Sequence, residues 1–429
     1  MMTPDSEQKA TVPAEIDSTG HPSRRHFLEK AGAAALVAVA AGSATSLTAD
    51  ELALDPGSYE PLNPDKKVRL GVVGGGFGSR MFWNLEPNCI VHAVSDLRTD
   101  RRDHLMNVYE CDRSYESLEK LILDDQLDAV AVFTGVPDHA DHVMAAMNRG
   151  KHVISAVTAC TTLEDAARMK EVKESTGLKY MMAETSYYRP EAIAARELFQ
   201  RGAFGELFYT EAEYFHPHTE SERSSPDSYW YYKGQQTWRH GFPPLLYCTH
   251  ATSFLVGTTG ERITDVSCIG MLSPPGIPGY AGGQNQYKNP FNSQIALCNT
   301  NRGHACRVHS IWTGTESAER AQWFGTDLSL YMPGSGGQPF KVRGPEAAPG
   351  SAPDYRKRLP PSMHNVKTAH GNSHTHLAHE FISAIVEDRE PTVNLYEALA
   401  MTVPGIVANE SSKRGGEQLK VPGFDPASG

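Results

Sequence analysis

The apolar run Val68–Val73 leads into Gly74-Gly75-Gly76-Phe77-Gly78-Ser79, and a second run from Val91 ends at Asp96. Residue types in this order suit a dinucleotide. Gly74 permits a tight turn, Gly76 lets the main chain approach a pyrophosphate, and Ser79 is small enough for a helix to pack on the strand. The pyrophosphate would then rest on a helix N-terminus. Asp96 lies where a carboxylate binds adenosine ribose hydroxyls. A further apolar run, Ala129–Phe133, delivers Thr134-Gly135-Val136-Pro137 at a strand's carboxyl end, where cofactors bind in such sheets. The cofactor candidates are therefore Gly74, Gly76, Phe77, Gly78, Asp96, Thr134, Pro137 and His139. The plain alternative is a glycine-rich turn in some other α/β sheet. Asp96 favours NAD, while Arg98, Arg101 and Arg102 leave room for a ribose 2′-phosphate and keep NADP open.

Alternating strands and helices must position these groups. A helix is expected after the glycine turn, another after Asp96, and a third near Tyr115–Leu123. Helices also fit Ala140–Arg149 and Leu163–Ser175, each closed by a glycine, Gly150 and Gly177. Continuous apolar strands between helices specify a doubly wound parallel sheet, a Rossmann α/β domain over 67–187. Beyond Arg201 the strand-like segments Glu206–Tyr214, Ile263–Ile269, Gln294–Cys298 and Ala305–Trp312 are joined by long loops. They predict an α+β domain over 188–429 with an open, mostly antiparallel sheet. Residues 332–362, rich in Pro, Gly and Ser, read as a surface loop. Helices near His376–Val386 and Leu395–Asn409 are expected to pack back on the first domain.

Ser23-Arg24-Arg25-His26-Phe27-Leu28 precedes a short Ala-rich run, Ala31–Ala41. Paired arginines ahead of such a run read as a twin-arginine export signal over 1–44, with small residues at 42–44 for cleavage and a tether over 45–66. The run is too short for a transmembrane helix, which needs about 20 residues. The twin-arginine translocon carries folded proteins, and free nicotinamide is scarce outside the inner membrane. A tightly bound cofactor and a periplasmic location are expected. The net charge of −11 and the absence of a basic stripe exclude nucleic acid and anionic membrane as partners. The seven cysteines are scattered with no Cys-x-x-Cys pair and read as buried thiols.

Val68–Val73 with its glycines, Ala129–Phe133 and Gly150-Lys151-His152-Val153 together resemble the glucose–fructose oxidoreductase, inositol dehydrogenase and MocA family. Near the C-terminus, His379-Glu380-Phe381, Arg389-Glu390-Pro391-Thr392-Val393 and Pro404-Gly405-Ile406-Val407-Ala408 look like that family's closing helices. The resemblance implies a small-molecule carbohydrate substrate and a homo-oligomer assembled through the open sheet. It also exposes a departure. Family dehydrogenases usually carry Glu-Lys-Pro after Gly-Lys-His-Val, and that lysine assists hydride transfer. Ala156, Val157 and Thr158 stand there. His250 keeps the family's histidine position, but Leu246 and Ser253 replace the neighbouring acids.

Taking a hydride from a carbinol carbon needs a base on its hydroxyl, and an imidazole suits that role. His250 is the first candidate, against a histidine merely packed beneath the sheet. Tyr188 would relay a proton if a cation lowered its pKa, and Tyr247 is the third catalytic candidate. Glu184, Tyr187, Arg189, Trp238, Arg239 and His240 are the substrate-binding candidates, Glu184 being equally able to hold an arginine. The clusters His216-Pro217-His218, Tyr229-Trp230-Tyr231-Tyr232 and Trp238-Arg239-His240 offer aromatic faces beside polar groups, which suits sugar rings, loop packing or a subunit contact. His370, His374, His376 and His379 lack a matching carboxylate spacing, so no metal is expected. Three functions follow: an exported NAD(P)-dependent sugar oxidoreductase first, a redox-neutral NAD-dependent glycoside hydrolase or lyase second, and a non-catalytic sugar-binding protein third.

Overall fold

The computed structural model describes residues 52–426, except 219–223, 229, 274–279, 335–338 and 345–348. The expected export signal, its cleavage site, the tether up to residue 51 and Tyr229 lie outside the described residues.

Six parallel strands form the first sheet: β1 (Val68–Val73), β2 (Cys89–Ser95), β3 (Ser114–Tyr115), β4 (Ala129–Val132), β5 (His152–Ser155) and β6 (Tyr180–Met182). Their spatial order is β3-β2-β1-β4-β5-β6. All four residues of β4 are buried, as a parallel strand covered on both faces requires. The crossovers carry α1 (Thr99–Tyr109), α2 (Leu118–Leu121), α3 (His139–Asn148) and α4 (Leu163–Thr176). Thr162 caps α4 by accepting from Asp165 N at 3.0 Å, and Gly177 closes it at φ +65°. The expected doubly wound Rossmann sheet is present.

One expected helix is not. The glycine turn runs into two three-residue 3-10 turns, Gly78–Arg80 and Trp83–Leu85. Only residues 79–88 separate Gly78 from β2, Phe82 adopts a left-handed conformation (φ 56°) and Trp83 is fully buried. Burying that indole fixes the chain before a second helical turn can form.

A second sheet of eight strands follows α5 (Pro190–Gln200). It contains β7 (Leu207–Phe215), β10 (Ile263–Leu272), β11 (Phe291–Thr300), β12 (Ala305–Ile311), β13 (Ala318–Gly325), β14 (Ser329–Tyr331), β15 (Lys341–Arg343) and β16 (Leu419–Lys420). The order is β15-β14-β13-β7-β12-β11-β10-β16, antiparallel except for the β7–β12 pair. A separate hairpin pairs β8 (Tyr231–Tyr232) with β9 (Gln235–Gln236). One face of the large sheet lies against α6 (Thr249–Thr259), which is buried along most of its length. The other face leaves Ile269 67% and Leu297 60% exposed.

Two long helices end the chain. In α8 (Leu395–Lys413), Asn394 caps by accepting from Tyr396 N and Glu397 N. In α7 (Ala369–Val386), Leu377, Phe381 and Ile382 are fully buried in one cluster with Leu70, Val72 and Ala131 of the first sheet. Each such side chain contributes about 1.5–3 kcal/mol. The first turn of α7 is irregular: His370, Gly371 and Asn372 are left-handed at φ 53°, 66° and 68°. Asn372 Oδ1 accepts from Thr368 N at 2.7 Å and holds that turn, whose non-glycine residues each cost roughly 1–2 kcal/mol. The cost secures the position of the His370 ring.

Candidate active site and cofactor crevice

The glycine turn is built for close approach of a ligand. Gly74 sits at φ +100°, and a Cβ there would collide with Phe133 O. A Cβ on Gly75 would lie 2.6 Å from Arg101 O. Gly76 differs: it is exposed, and a Cβ would project into open space with only Arg101 Nη1 within reach, at 3.6 Å. That open cradle at the carboxyl ends of β1 and β4 fits a dinucleotide pyrophosphate. Asp96 joins the same turn, accepting from Gly75 N at 2.7 Å and Arg98 N at 2.8 Å. Phe77 packs edge-on against Phe133 and His374.

Deeper in, five side chains form a buried charged cluster. Glu184 follows β6 and is fully buried. Its Oε1 accepts from Ser186 N at 2.9 Å, capping the turn Thr185–Tyr188, and from His250 Nδ1 at 2.7 Å. His250, near the start of α6, is thereby held with Nε2 unclaimed among the described residues, and its ring lies 4.4 Å from that of Tyr214. Burial opposes charge on His250, but Glu184 and Glu319 outweigh it and raise its pKa above the ordinary value. Glu319, on β13, accepts from Arg189 Nε at 2.7 Å and Nη2 at 2.8 Å, Ser186 Oγ at 2.6 Å and His370 Nδ1 at 2.8 Å. Burial works against the Glu319 carboxylate, yet Arg189 and His370 hold it well below its usual range. The His370 ring stacks on His250 with centroids 5.8 Å apart. The cluster thus holds two carboxylates and one guanidinium, and that excess of negative charge is why the His250 pKa stands raised.

Residues 230–242 cross the crevice mouth as a strap. At one end the Tyr232 ring lies 4.2 Å beneath the Arg98 guanidinium, beside Asp96. At the other the Trp238 indole rests on Gly135, where a Cβ would approach Cδ1 to 2.9 Å. Tyr287 Oη donates to Trp238 O at 2.6 Å and Trp312 Nε1 to Phe242 O at 2.9 Å, anchoring the strap on the second domain. Arg239 lies over the Trp238 ring at 4.3 Å and within 5.9 Å of the Tyr247 ring. Tyr247 also meets His250 edge-on at 5.4 Å. His250, Tyr247, Trp238 and Arg239 therefore come together.

Several expected site residues take other places. Tyr188 Oη bonds Thr392 Oγ1 at 2.5 Å, and its ring stacks on His376. Burial, then Glu380, pushes its pKa well up, the reverse of what a proton relay needs. His139 is fully buried with its ring nitrogens against Thr158 O and Thr134 O, so it staples two loops rather than facing a cofactor. Tyr187 packs on Gly257 and under the Arg196 guanidinium at 3.9 Å. Arg189 pairs with Glu319. His240 is buried inside the strap against Trp230 and Tyr231. Glu184 bonds the His250 imidazole and, among the described residues, no arginine. Thr134 Oγ1 pairs with His142 Nδ1 at 2.9 Å, while Pro137 is exposed on the rim. Glu319 and the role of His370 escaped the sequence pattern, because strand pairing sets residue 319 opposite Tyr214 and only tertiary packing then brings it to Ser186 and Arg189.

Residues 68–184 match the profile of the oxidoreductase family, NAD-binding Rossmann fold. A Streptomyces coelicolor glycosyl hydrolase family 109 protein is 26% identical over 280 residues, covering 60% of this chain and 59% of the relative. An α-N-acetylgalactosaminidase of Shewanella oneidensis is 29% identical over 214 residues, covering 45% and 46%. The chain thus spans about half the length of the curated relatives it matches. Among solved structures, levoglucosan dehydrogenase in complex with NADH and levoglucosan superposes with a TM-score of 0.66 at 17% identity, covering 84% of this chain and all of that one. That likeness establishes the shared fold.

Proposed function

Since residues 68–184 belong to the Gfo/Idh/MocA oxidoreductase family by their NAD-binding Rossmann fold, we propose that the protein cleaves a glycoside in a redox-neutral cycle on a tightly held NAD. Gly74–Gly78 would hold the pyrophosphate of the dinucleotide, whose nicotinamide would supply a reversible hydride acceptor for a sugar carbinol carbon. Gly76 keeps the cradle open, Gly74 and Gly78 let the turn pack on Phe133, and Asp96 stands at its adenosine side. Glu184 fixes the Nδ1–H of His250, so Nε2 is presented as the base for the carbinol hydroxyl. Tyr247, Trp238 and Arg239 line the approach to that nitrogen. Oxidation at one carbon acidifies the neighbouring C–H, whose proton would pass to a base of the crevice as the aglycone leaves by elimination. Water would then add at the carbon the aglycone left, a proton would return to the neighbouring carbon, and the hydride would return to the oxidised one. His370, bound to Glu319, stacks on His250 and backs its ring.

One observation carries this reading: the buried Glu184–His250–Glu319–Arg189–His370 cluster, whose charge favours one retained proton. A net dehydrogenase must deliver that proton to solvent at every turnover, whereas a cycle that returns its hydride reuses it. The relatives' names agree with the second course. The test offers aryl glycosides, an N-acetylgalactosaminide among them, to the purified protein. Phenol release without net reduced nicotinamide is expected. A ketone product with accumulating reduced nicotinamide would establish the sugar oxidoreductase instead, and cofactor-free protein that binds sugar would make it a binding protein.

The strap supports retention of the cofactor, because Tyr232 and Trp238 close both ends of the crevice. Retention fits the twin-arginine export and periplasmic location read from Arg24 and Arg25; cofactor-bearing protein in the periplasmic fraction tests that pair of claims. The open sheet face with Ile269 and Leu297 is proposed as the contact between copies, which Leu297→Lys should break on size-exclusion chromatography.

A further inference from the structure

We propose that Arg101 supplies the positive charge that holds the cofactor's pyrophosphate. This assignment rests on the dinucleotide reading above. Where a full α-helix begins at a glycine turn, its free N–H groups and dipole stabilise phosphate. Here the turn leads into a three-residue 3-10 helix, which supplies little of either. The Gly75 N–H is also occupied, donating to Asp96. The anion therefore needs another partner.

Arg101 stands in the first turn of α1, and α1 is seated directly on the glycines. The site of a Cβ on Gly75 is 2.6 Å from Arg101 O and 2.8 Å from Arg101 Cβ. The guanidinium reaches over the next residue, with Nη1 3.6 Å from the Cβ site of Gly76, the one glycine of the turn that faces open space. Its neighbours are engaged. Arg98 pairs with Asp100 at 2.7 Å and covers Tyr232; Arg102 donates to Asp96 O at 3.1 Å. Arg101 makes no ion pair among the described residues. A planar guanidinium donates two parallel N–H bonds to phosphate oxygens. Its placement over Gly76 selects the pyrophosphate. A ribose 2′-phosphate would sit by Asp96 and meet like charge.

The test compares wild type, Arg101→Gln and Arg101→Lys. Each keeps the Cβ that packs on Gly75, and thermal unfolding should be the same for all three without nucleotide. Binding of ADP-ribose, adenosine and NADP is measured on nucleotide-depleted full-length protein, together with the release half-life of co-purified cofactor. Arg101→Gln should weaken ADP-ribose about tenfold or more, flatten its salt dependence and shorten the half-life, while adenosine binding stays unchanged. Arg101→Lys should recover part of the loss. Unchanged ADP-ribose affinity in Arg101→Gln overturns the assignment, as does an effect confined to NADP. Wild-type protein that binds neither ADP-ribose nor NADP would instead remove the dinucleotide reading on which it rests.

Discussion

Replacing Glu184 by Gln removes one charge from the centre of the cluster and little else. Oε1 already accepts from Ser186 N and His250 Nδ1, while Oε2 is buried without a hydrogen-bond partner. An amide nitrogen at the Oε2 position leaves both bonds, and hence the imidazole tautomer, in place. What changes is the charge opposite Nδ1. Burial drives the His250 pKa down, and it stands above its ordinary value because Glu184 and Glu319 outweigh that burial. A hydrogen bond to a charged group is worth about 1.5–3 kcal/mol, and one pKa unit is about 1.4 kcal/mol. Glu184→Gln keeps that bond but makes it neutral, worth about 0.5–1.5 kcal/mol, and should therefore lower the His250 pKa. The acidic limb of the kcat profile should move toward acid by about one pH unit. The plateau should fall about tenfold, since a weaker base accepts the carbinol proton less readily. Aryl glycoside turnover from pH 5 to 9 reads both, and acid release of the nucleotide confirms that the crevice is intact. An acidic limb that does not move, with the plateau within twofold of wild type, refutes the role given to Glu184 and His250.

Two glycine substitutions should separate folding from binding. Gly74→Ala places a side chain at φ +100° against Phe133 O and should lower Tm, whereas Gly76→Val enters open space and should fold normally but lose nucleotide, read as thermal unfolding against occupancy. Gly135→Ala should displace the Trp238 indole from the crevice rim and shorten the release half-life of bound nucleotide, with a half-life equal to wild type counting against the strap. Acid should destabilise the fold through buried histidines. Burial pulls His374 down to about 4 and His376 to about 3, below their ordinary value of about 6.5. Between those values the unfolded chain binds the extra protons, so this stability is present above pH 6.5 and is lost as pH falls toward 4 and 3, up to about 3 kcal/mol for His374. Tm should drop across that window and His376→Phe should flatten the drop; a Tm indifferent to pH contradicts it.

The order of strands and helices was legible because β1 and β4 are continuous apolar runs and three of the four crossover helices carry a cap or a glycine stop at Ser117, Gly150, Thr162 and Gly177. Asp96, Gly74 and Gly76 were legible for the same reason: a local turn needs specific residues at fixed spacing. His250 was found through family position, and its partner Glu184 was found with the wrong partner in mind. The missing helix after Gly78 was not legible, because only burial of Trp83 decides where that short segment turns. Glu319 and His370 were invisible as site residues for another reason. Their place depends on β13 lying beside β7 and on three left-handed residues opening α7, and neither is encoded within a few neighbouring positions. Tyr188 failed as a relay because the pattern that put it after β6 says nothing about which way its hydroxyl turns.

The most direct measurement runs an aryl glycoside to completion with the purified protein in D2O and examines sugar product and cofactor together. Elimination followed by hydration should leave one deuterium on the sugar carbon beside the oxidised carbinol, one phenol per sugar, and no net reduced nicotinamide. A sugar released without deuterium, or reduced nicotinamide rising in step with a ketone, would contradict the cycle proposed for this crevice.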